Sequence, residues 1–510
     1  MKKRHIVQIF IVFILMLGLF GTPPTAQGFE AAKVQPVLIE LATQTPSQMV
    51  RVIVQKMAGA TDTEERVYAL GGQVTQDLHI INAFAAEMSA KDAVQLSKAS
   101  GVRWVSLDSA MNSSACSQCV DTSKLANAYI GAIHADQVWN TKPYIQGQGI
   151  GVAVIDSGIN PNGDLYTDKG VNRQVADIRF NSDYNQSPSD GYGHGTHVAS
   201  IIGSDGSDSS GKYIGVAPMV NIINVKVSND NGSAMMKDVV QGLQWVLENK
   251  DTYNIRVVNI SLNSAVAESY NTSPLDAAVE ILWFNSIVVV ASAGNKGGGT
   301  IYPPANDPFV ITVGATDDKG SATITDDTLG SFSAYGISEN GEVKPDLVAP
   351  GTNIIARLVN QNMGLAGSHP ANKVGTQYFR MSGTSMAAPM VSGAAALLLQ
   401  DEPGLTPDQV KYRLMATANK SWAGYNASKS GAGYLDIYAA VTGTTTESAN
   451  TGELPSQLLS TGTEPITWGS VGWNTVGWNT VGWNTVGWNT VGWNTVGWNT
   501  VGWNSDYWGQ

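Results

Sequence analysis

The sequence predicts an α/β protein: a doubly wound, mostly parallel sheet with helices on both faces, preceded by a small β-α-β-β-α-β domain. Two observations carry this. Between residues 129 and 441, short β-branched runs alternate with helical stretches, and the runs are apolar without regular polar alternation. Strands covered on both faces read that way. Between residues 50 and 107, shorter elements follow one another in the order of a split βαβ unit. A chain of 510 residues also exceeds one ordinary domain of roughly 150 residues.

Residues 1–28 read as an address. Lys2, Lys3 and Arg4 precede an apolar run over residues 6–20, and Ala26-Gln27-Gly28 follows. This is the layout of a secretory signal peptide, with a cut expected near residues 26–32. As a membrane anchor the run is short of about 20 residues and contains Gln8. The expected localisation is extracellular.

Residues 29–110 hold the small domain, with its patterned core over 50–108. Residues 50–54 alternate as a strand. Residues 62–70 form a short helix stopped by Gly71-Gly72. Apolar patches at 78–81 and 83–88 follow, and Ser89 is placed to cap a helix starting near Lys91. Residues 102–107 are a last strand. Beyond them, Cys116 and Cys119 stand as C-x-x-C. With no thioredoxin-like context and no second pair, they are expected to form a local bridge or to remain two loop thiols.

Residues 128–442 hold the large domain. Its strands are expected at 150–155, 220–227, 257–260, 287–291 and 310–313. Residues 385–400, rich in Ala, Gly and Leu, read as a helix buried all round. From Gly443 the chain turns to Thr, Gly, Ser and Pro without Lys, Arg or His, so 443–470 is expected to be a linker. In 471–510 the unit Val-Gly-Trp-Asn recurs seven times, spaced by Thr. Period five keeps neither a helical nor a strand face in register, which argues against an ordinary amphipathic element. Such a tail could bind wall polysaccharide, self-associate, stack as a solenoid or make cross-β contacts. It could equally be an unstructured product of repeat expansion. The formal net charge of −12 argues against nucleic acid as a partner, since phosphate binding needs clustered Lys and Arg.

Three segments carry chemistry. "GVAVIDSGI" is a buried strand ending at Asp156, "DGYGHGTHVAS" leads through His194 into a helix, and "MSGTSMAAPMVSGAAAL" opens a helix at Ser385. Taken singly, each has an ordinary structural explanation: a cap, a hydrogen-bonded histidine, an N-cap serine. Together they supply what a hydroxyl nucleophile needs at neutral pH, an imidazole to take its proton and a carboxylate to orient the imidazole. Gly383-Thr384-Ser385-Met386-Ala387 approaches the G-x-S-x-G elbow of α/β-hydrolases, but that family needs a histidine after the serine and none follows Ser385. A metal hydrolase would use His194, His197 and Asp190, yet no H-E-x-x-H or further ligand accompanies them.

The three segments, in the order Asp, His, Ser, resemble the signatures of the subtilase family of serine proteases. "GVAP" at Gly215, "ASAGN" at Ala291 and "KPDLVAPG" at Lys344 extend the resemblance over residues 129–441. The small domain resembles the family's inhibitor-like propeptide at "INAFAAEMSAKDAVQL" and "GVRWVSLD". The resemblance implies a subtilisin-like fold and a secreted endopeptidase with polypeptide substrates. The precursor would process itself, and its propeptide would serve as intramolecular chaperone and inhibitor, cut off between Ser109 and Ala128. It also implies roles. Ser385 attacks the scissile carbonyl, His194 is general base and then acid, and Asp156 orients the imidazole. Asn295 and the Ser385 backbone N–H hold the oxyanion, and His197 is structural. Ser261-Leu262-Asn263 binds extended substrate by backbone pairing. Asn263 departs from the family's usual glycine and is expected to narrow a subsite.

No cofactor is implied for the chemistry. Many subtilases bind structural calcium. The loop "GSDGSDSSGKY" differs from the family's, and Asp205 and Asp208 would either supply oxygens or form a solvated acidic turn. The alternative function is a non-catalytic exported protein that keeps the fold and attaches to the cell surface through its tail.

Overall fold

A computed structural model describes residues 33–109, 119–459 apart from 168, 182–186, 360, 361 and 363, and a strand at 500–502. The expected signal peptide, Cys116 and most of the tail lie outside the described residues. Cys119 is disulfide-bonded. The chain divides into two compact units, residues 1–115 and 116–510.

The first unit contains α1 (Pro36–Gln44), β1 (Met49–Lys56), α2 (Thr63–Ala69), β2 (Gln73–Leu78), β3 (Ala83–Ser89), α3 (Ala90–Leu96) and β4 (Val102–Leu107). From β1 onward this is the order β-α-β-β-α-β, in an antiparallel sheet ordered β2-β3-β1-β4. Alternation in β1 turns Val50, Val52 and Val54 inward, where they meet Val67, Phe84, Met88, Leu96 and Val105. Ser89 Oγ accepts from the Asp92 N–H and so caps α3. Helix α1 was not foreseen. Its apolar residues Val37, Leu38 and Ile39 are contiguous rather than striped, and only Leu38 is buried.

The second unit is built on an eight-stranded sheet. The strands and helices that position the site are, in chain order, β5 (Gly151–Asp156), β6 (Gln174–Arg179), α4 (His194–Gly203), β7 (Asn221–Lys226), β8 (Ser233–Met235), α5 (Met236–Asn249), β9 (Ile255–Ile260) and β10 (Asn263–Ser264). They continue with α6 (Pro274–Phe284), β11 (Val288–Ser292), β12 (Ile311–Asp317), β13 (Thr328–Leu329), β14 (Leu347–Pro350) and α7 (Thr384–Asp401). The strand order is β13-β12-β11-β9-β5-β7-β6, with β14 also on β12. Every pair is parallel except β12–β13. Helices α4 and α7 pack on each other and on the sheet, as do α5 and α6, giving the subtilisin-like arrangement of helices on both faces. As expected, α7 is buried all round, from Thr384 through Leu399. No described helix is long and apolar enough to cross a membrane.

Two regions depart from expectation. Residues 443–459, read as linker, are docked on the second unit. The Thr445 carbonyl accepts from Arg413, Asn450 bonds Lys411 and Asp408, the Ser456 N–H donates to Glu280, and Leu459 is buried. Composition suggested a linker because these residues are small and polar, but that chemistry also lets them satisfy buried charges. In the tail, Thr500–Gly502 forms a strand, β15, lying between β10 and β8 and antiparallel to both.

Candidate active site

Parallel sheets place loops together at the carboxyl ends of their strands, which is where α/β proteins bind ligands. Strands β11, β9 and β5 are consecutive neighbours in the sheet. From their carboxyl ends come Asn295, Ser261 and Asp156, and the amino terminus of α7 brings Ser385 to the same place.

Asp156 closes β5 and is fully buried, as is His194 at the first position of α4. Both carboxylate oxygens of Asp156 lie 3.0 Å from His194 Nδ1. Burial, the largest influence, pushes the Asp156 carboxyl above its ordinary range, and the adjacent His194 pulls against it. The Ser157 N–H donates to Asp156 Oδ1 at 2.7 Å. Two glycines make this contact fit. Gly193, at φ 102°, turns the chain into α4, and a Cβ on Gly195 would stand 2.2 Å from the Gly158 carbonyl and 2.7 Å from Asp156 Oδ1.

Asp190 holds the turn from beneath. Its Oδ1 accepts from Ser157 Oγ at 2.9 Å and Gly193 N–H at 2.7 Å, and its Oδ2 from Thr196 N–H at 2.9 Å and Thr196 Oγ1 at 2.8 Å. With these donors around it, Asp190 is committed to the loop rather than to a metal shared with the histidines. Among the described residues no group of three or more His, Cys, Asp or Glu could hold a metal ion. His197, one turn after His194, is turned away to the Phe379 carbonyl, 3.0 Å from its Nε2. Burial pushes its pKa down to about 3, so the ring is neutral at ordinary pH and Nε2 carries the hydrogen. The two histidines that spacing alone left equivalent are thus separated by their partners.

Ser385 is fully buried in the first turn of α7, where backbone N–H groups lack intrahelical partners. Its Oγ donates to the Ser261 carbonyl at 3.1 Å, and Ser261 Oγ returns a bond of 3.1 Å to the Ser385 carbonyl. The loop after β11 is locked to the same turn. Asn295 Oδ1 accepts from Thr384 N–H at 2.9 Å and Thr384 Oγ1 at 3.0 Å, while Gly294 N–H donates to Thr384 Oγ1 at 3.0 Å. Among the described residues, the buried Asn295 Nδ2 has no hydrogen-bond partner. The sequence did not point to Ser157, Asp190 or Thr384 as supports, although each stands within one of the quoted motifs.

Ser261-Leu262-Asn263 follows β9 and is buried. Asn263 Nδ2 donates to the Ser292 carbonyl at 2.9 Å, so its carboxamide ties the loop to β11. Around the loop read for calcium, Asp208 Oδ2 lies 2.8 Å from Arg357 and accepts from Gly163 N–H at 3.0 Å. Asp205 Oδ1 accepts from Ser207 N–H at 2.9 Å. Arg357 already neutralises Asp208, so these residues as they stand do not fit a calcium cage.

Residues 147–434 match the model of the subtilase family. Serine protease AprX of Bacillus subtilis is 40% identical over 61% of this chain and 70% of its own length. Subtilisin Savinase of Lederbergia lenta is 34% identical over 54% of this chain and 85% of its own. The solved structure of fervidolysin from Fervidobacterium pennivorans aligns with 79% of this chain and 62% of its own at 22% identity and a TM-score of 0.48. The chain belongs to the subtilase family and is a serine-type endopeptidase.

Proposed function

We propose that this endopeptidase acts through Ser385, His194 and Asp156, and that it is exported as a self-processing precursor. The observation that carries the catalytic assignment is the buried Asp156–His194 pair at 3.0 Å, set at the same strand ends as a serine in a helix's first turn. Bonding of Nδ1–H to Asp156 leaves Nε2 as the base. For attack, the Ser385 hydroxyl turns from the Ser261 carbonyl to His194 and gives up its proton as Oγ bonds the scissile carbonyl carbon. The resulting oxyanion is held by Asn295 Nδ2 and the Ser385 N–H. His194 then returns the proton to the leaving amine, an acyl-enzyme forms, and water, deprotonated by the same histidine, releases the acid. Polypeptide substrates bind in extended form along Ser261-Leu262-Asn263.

In the precursor, residues 29–110 act as folding template and temporary inhibitor. A sheet of distant parallel strands folds slowly, because loop-closure entropy is lost before its contacts form, whereas the small antiparallel unit can form first. Removal falls between Ser109 and Ala128. Val120 already exchanges bonds of 2.8 and 2.9 Å with Asn140, which favours the amino-terminal part of that window.

The test is labelling of the secreted protein with a serine-directed fluorophosphonate. A single adduct on Ser385 in the processed form is expected. An unlabelled Ser385 would overturn its assignment as the nucleophile. Amino-terminal sequencing of that form locates the cut, and a mature terminus before Val102 would refute removal of the small unit as a whole.

A further inference from the structure

The tail strand occupies a particular place. Strands β8 and β10 are not bonded to each other; each pairs with β15, which lies between them. Gly502 is opposite Asn263 on one side and Ser233 on the other, and Val501 is opposite Ser264 and Ala234. Two facing strand edges separated by the width of one strand form a slot for an extended chain. β10 begins two residues after Ser261, whose carbonyl receives the Ser385 hydroxyl. Being antiparallel to β10, β15 runs from Ser264 toward Asn263, that is, toward the Ser385 end. The acyl side of a peptide substrate must run the same way, because its scissile carbonyl has to arrive last, at Ser385.

We propose that the slot between β8 and β10 is a binding site for the chain's own Val-Gly-Trp-Asn-Thr repeats, which fill it in competition with substrate. Backbone pairing asks for an extended segment with its N–H groups available, and the repeat contains no proline. The captured Thr-Val-Gly joins the sixth and seventh Val-Gly-Trp-Asn units, and the same tripeptide stands at each earlier junction, so any of them can replace it. Tethering makes even weak pairing effective. A tethered segment is presented at an effective concentration on the order of 1 mM, so a unit binding at about 0.1–1 mM raises the apparent KM about two- to tenfold. That the slot is the substrate cleft rests on the reading above; that the tail fills it rests on the strand order.

The experiment uses the mature full-length chain with a recognition site for an unrelated processing protease inserted between Leu459 and Val471, so that the tail is released after folding. Amide exchange is followed first, with Ser385 capped by a small fluorophosphonate, or on the uncapped chain if no adduct forms. Amides of residues 233–235 and 263–264 should exchange at least about tenfold faster after the cut. A synthetic peptide of three repeats should restore protection, whereas the same peptide with Pro for each Val should not. Unchanged protection on tail release would overturn the proposal. In the active enzyme, release should lower the KM for a short chromogenic peptide two- to tenfold at constant kcat, and the repeat peptide should inhibit competitively. Tail-dependent protection with an unaltered KM would overturn the competition. Tail-dependent protection in a chain whose Ser385 takes no label would uphold the slot and its occupant and refute the catalytic assignment alone.

Discussion

The two halves of the candidate site are built on opposite principles. Around Asp156 and His194 the polar groups are closed on one another: Ser157, Gly193 and Thr196 all donate into Asp190 or Asp156. Around Ser385 the arrangement is left incomplete, with a helix amino terminus and a buried Asn295 Nδ2 lacking a partner among the described residues. An unmade buried hydrogen bond costs the folded state about 1–3 kcal/mol, and at this helix terminus the proposed oxyanion would complete it. The difference separates scaffold from reactive surface. Substitutions among the supports of the closed half, Ser157, Asp190 and Thr196, should register chiefly in stability, and those in the open half in turnover.

Four substitutions test that division. The largest effect is expected from Ser385→Ala, which should lower kcat by about 10⁶, a magnitude carried over from removal of a subtilisin's nucleophile. The purified variant should remain uncut precursor; maturation in the absence of other proteases would break the self-processing argument. Asn295→Ala should lower kcat by about 10²–10³, again a value carried over from a subtilisin rather than obtained from this structure. Steady-state kinetics should place the loss in kcat, since the donor acts on the transition state. A loss wholly in KM would assign Asn295 to substrate binding.

Asp190→Ala belongs to the closed half. It strands the donors of Gly193, Thr196 and Ser157 and should cost about 3 kcal/mol or more in denaturant unfolding. Its kcat, measured where the variant is folded, should fall far less than in Asn295→Ala. The reverse ranking would erase the distinction between the halves.

The smallest effect is one of pH. Folded His197 stays unprotonated down to about 3, whereas an unperturbed imidazole protonates near 6.5. Between these values the unfolded chain binds the extra proton, so this contribution to stability is lost as pH falls from 6.5 toward 3, at up to about 1.4 kcal/mol per pH unit. Burial pushes the Asp307, Asp318 and Asp327 carboxyls up to about 6, and they act in the opposite sense, weakening the fold as pH rises toward 6. His197→Gln removes only the first contribution while offering a donor to Phe379. Between pH 6.5 and 5 it should lose about 2 kcal/mol less than the parent in urea unfolding; an equal loss in both would show that His197 does not titrate as described.

How much of this was legible follows from the residues. Strands β5 and β11 are buried on both faces and announce themselves as apolar runs, and β7 and β9 still do so around Asn224, Arg256 and Asn259 because their β-branched residues do not alternate with polar ones. The outermost strand, Gln174–Arg179, alternates exposed and buried positions with Asp and Arg in it, and it was missed. So was Leu347–Pro350, too short to give a periodic signal. Asp156, His194, Ser385 and Asn295 stood out because each lies in a long motif. Their supports did not, because the contacts join distant segments: Ser157 meets Asp190 33 residues away, and Asn295 meets Thr384 89 residues away. The tail strand was invisible for the same reason. Its partners lie more than 200 residues earlier, and a period of five names no face for them to pair with.

Residues 443–459 carry a consequence for wear. Among copies of itself, a protease is trimmed wherever chain can be drawn out into an extended strand. These residues cannot be drawn out without stripping Glu280, Lys411 and Arg413 of the backbone and amide groups that satisfy them in the interior. Trimming from the carboxyl end, where it occurs, is therefore expected to stop just beyond Leu459, at the point where buried charge needs its partners rather than where composition changes.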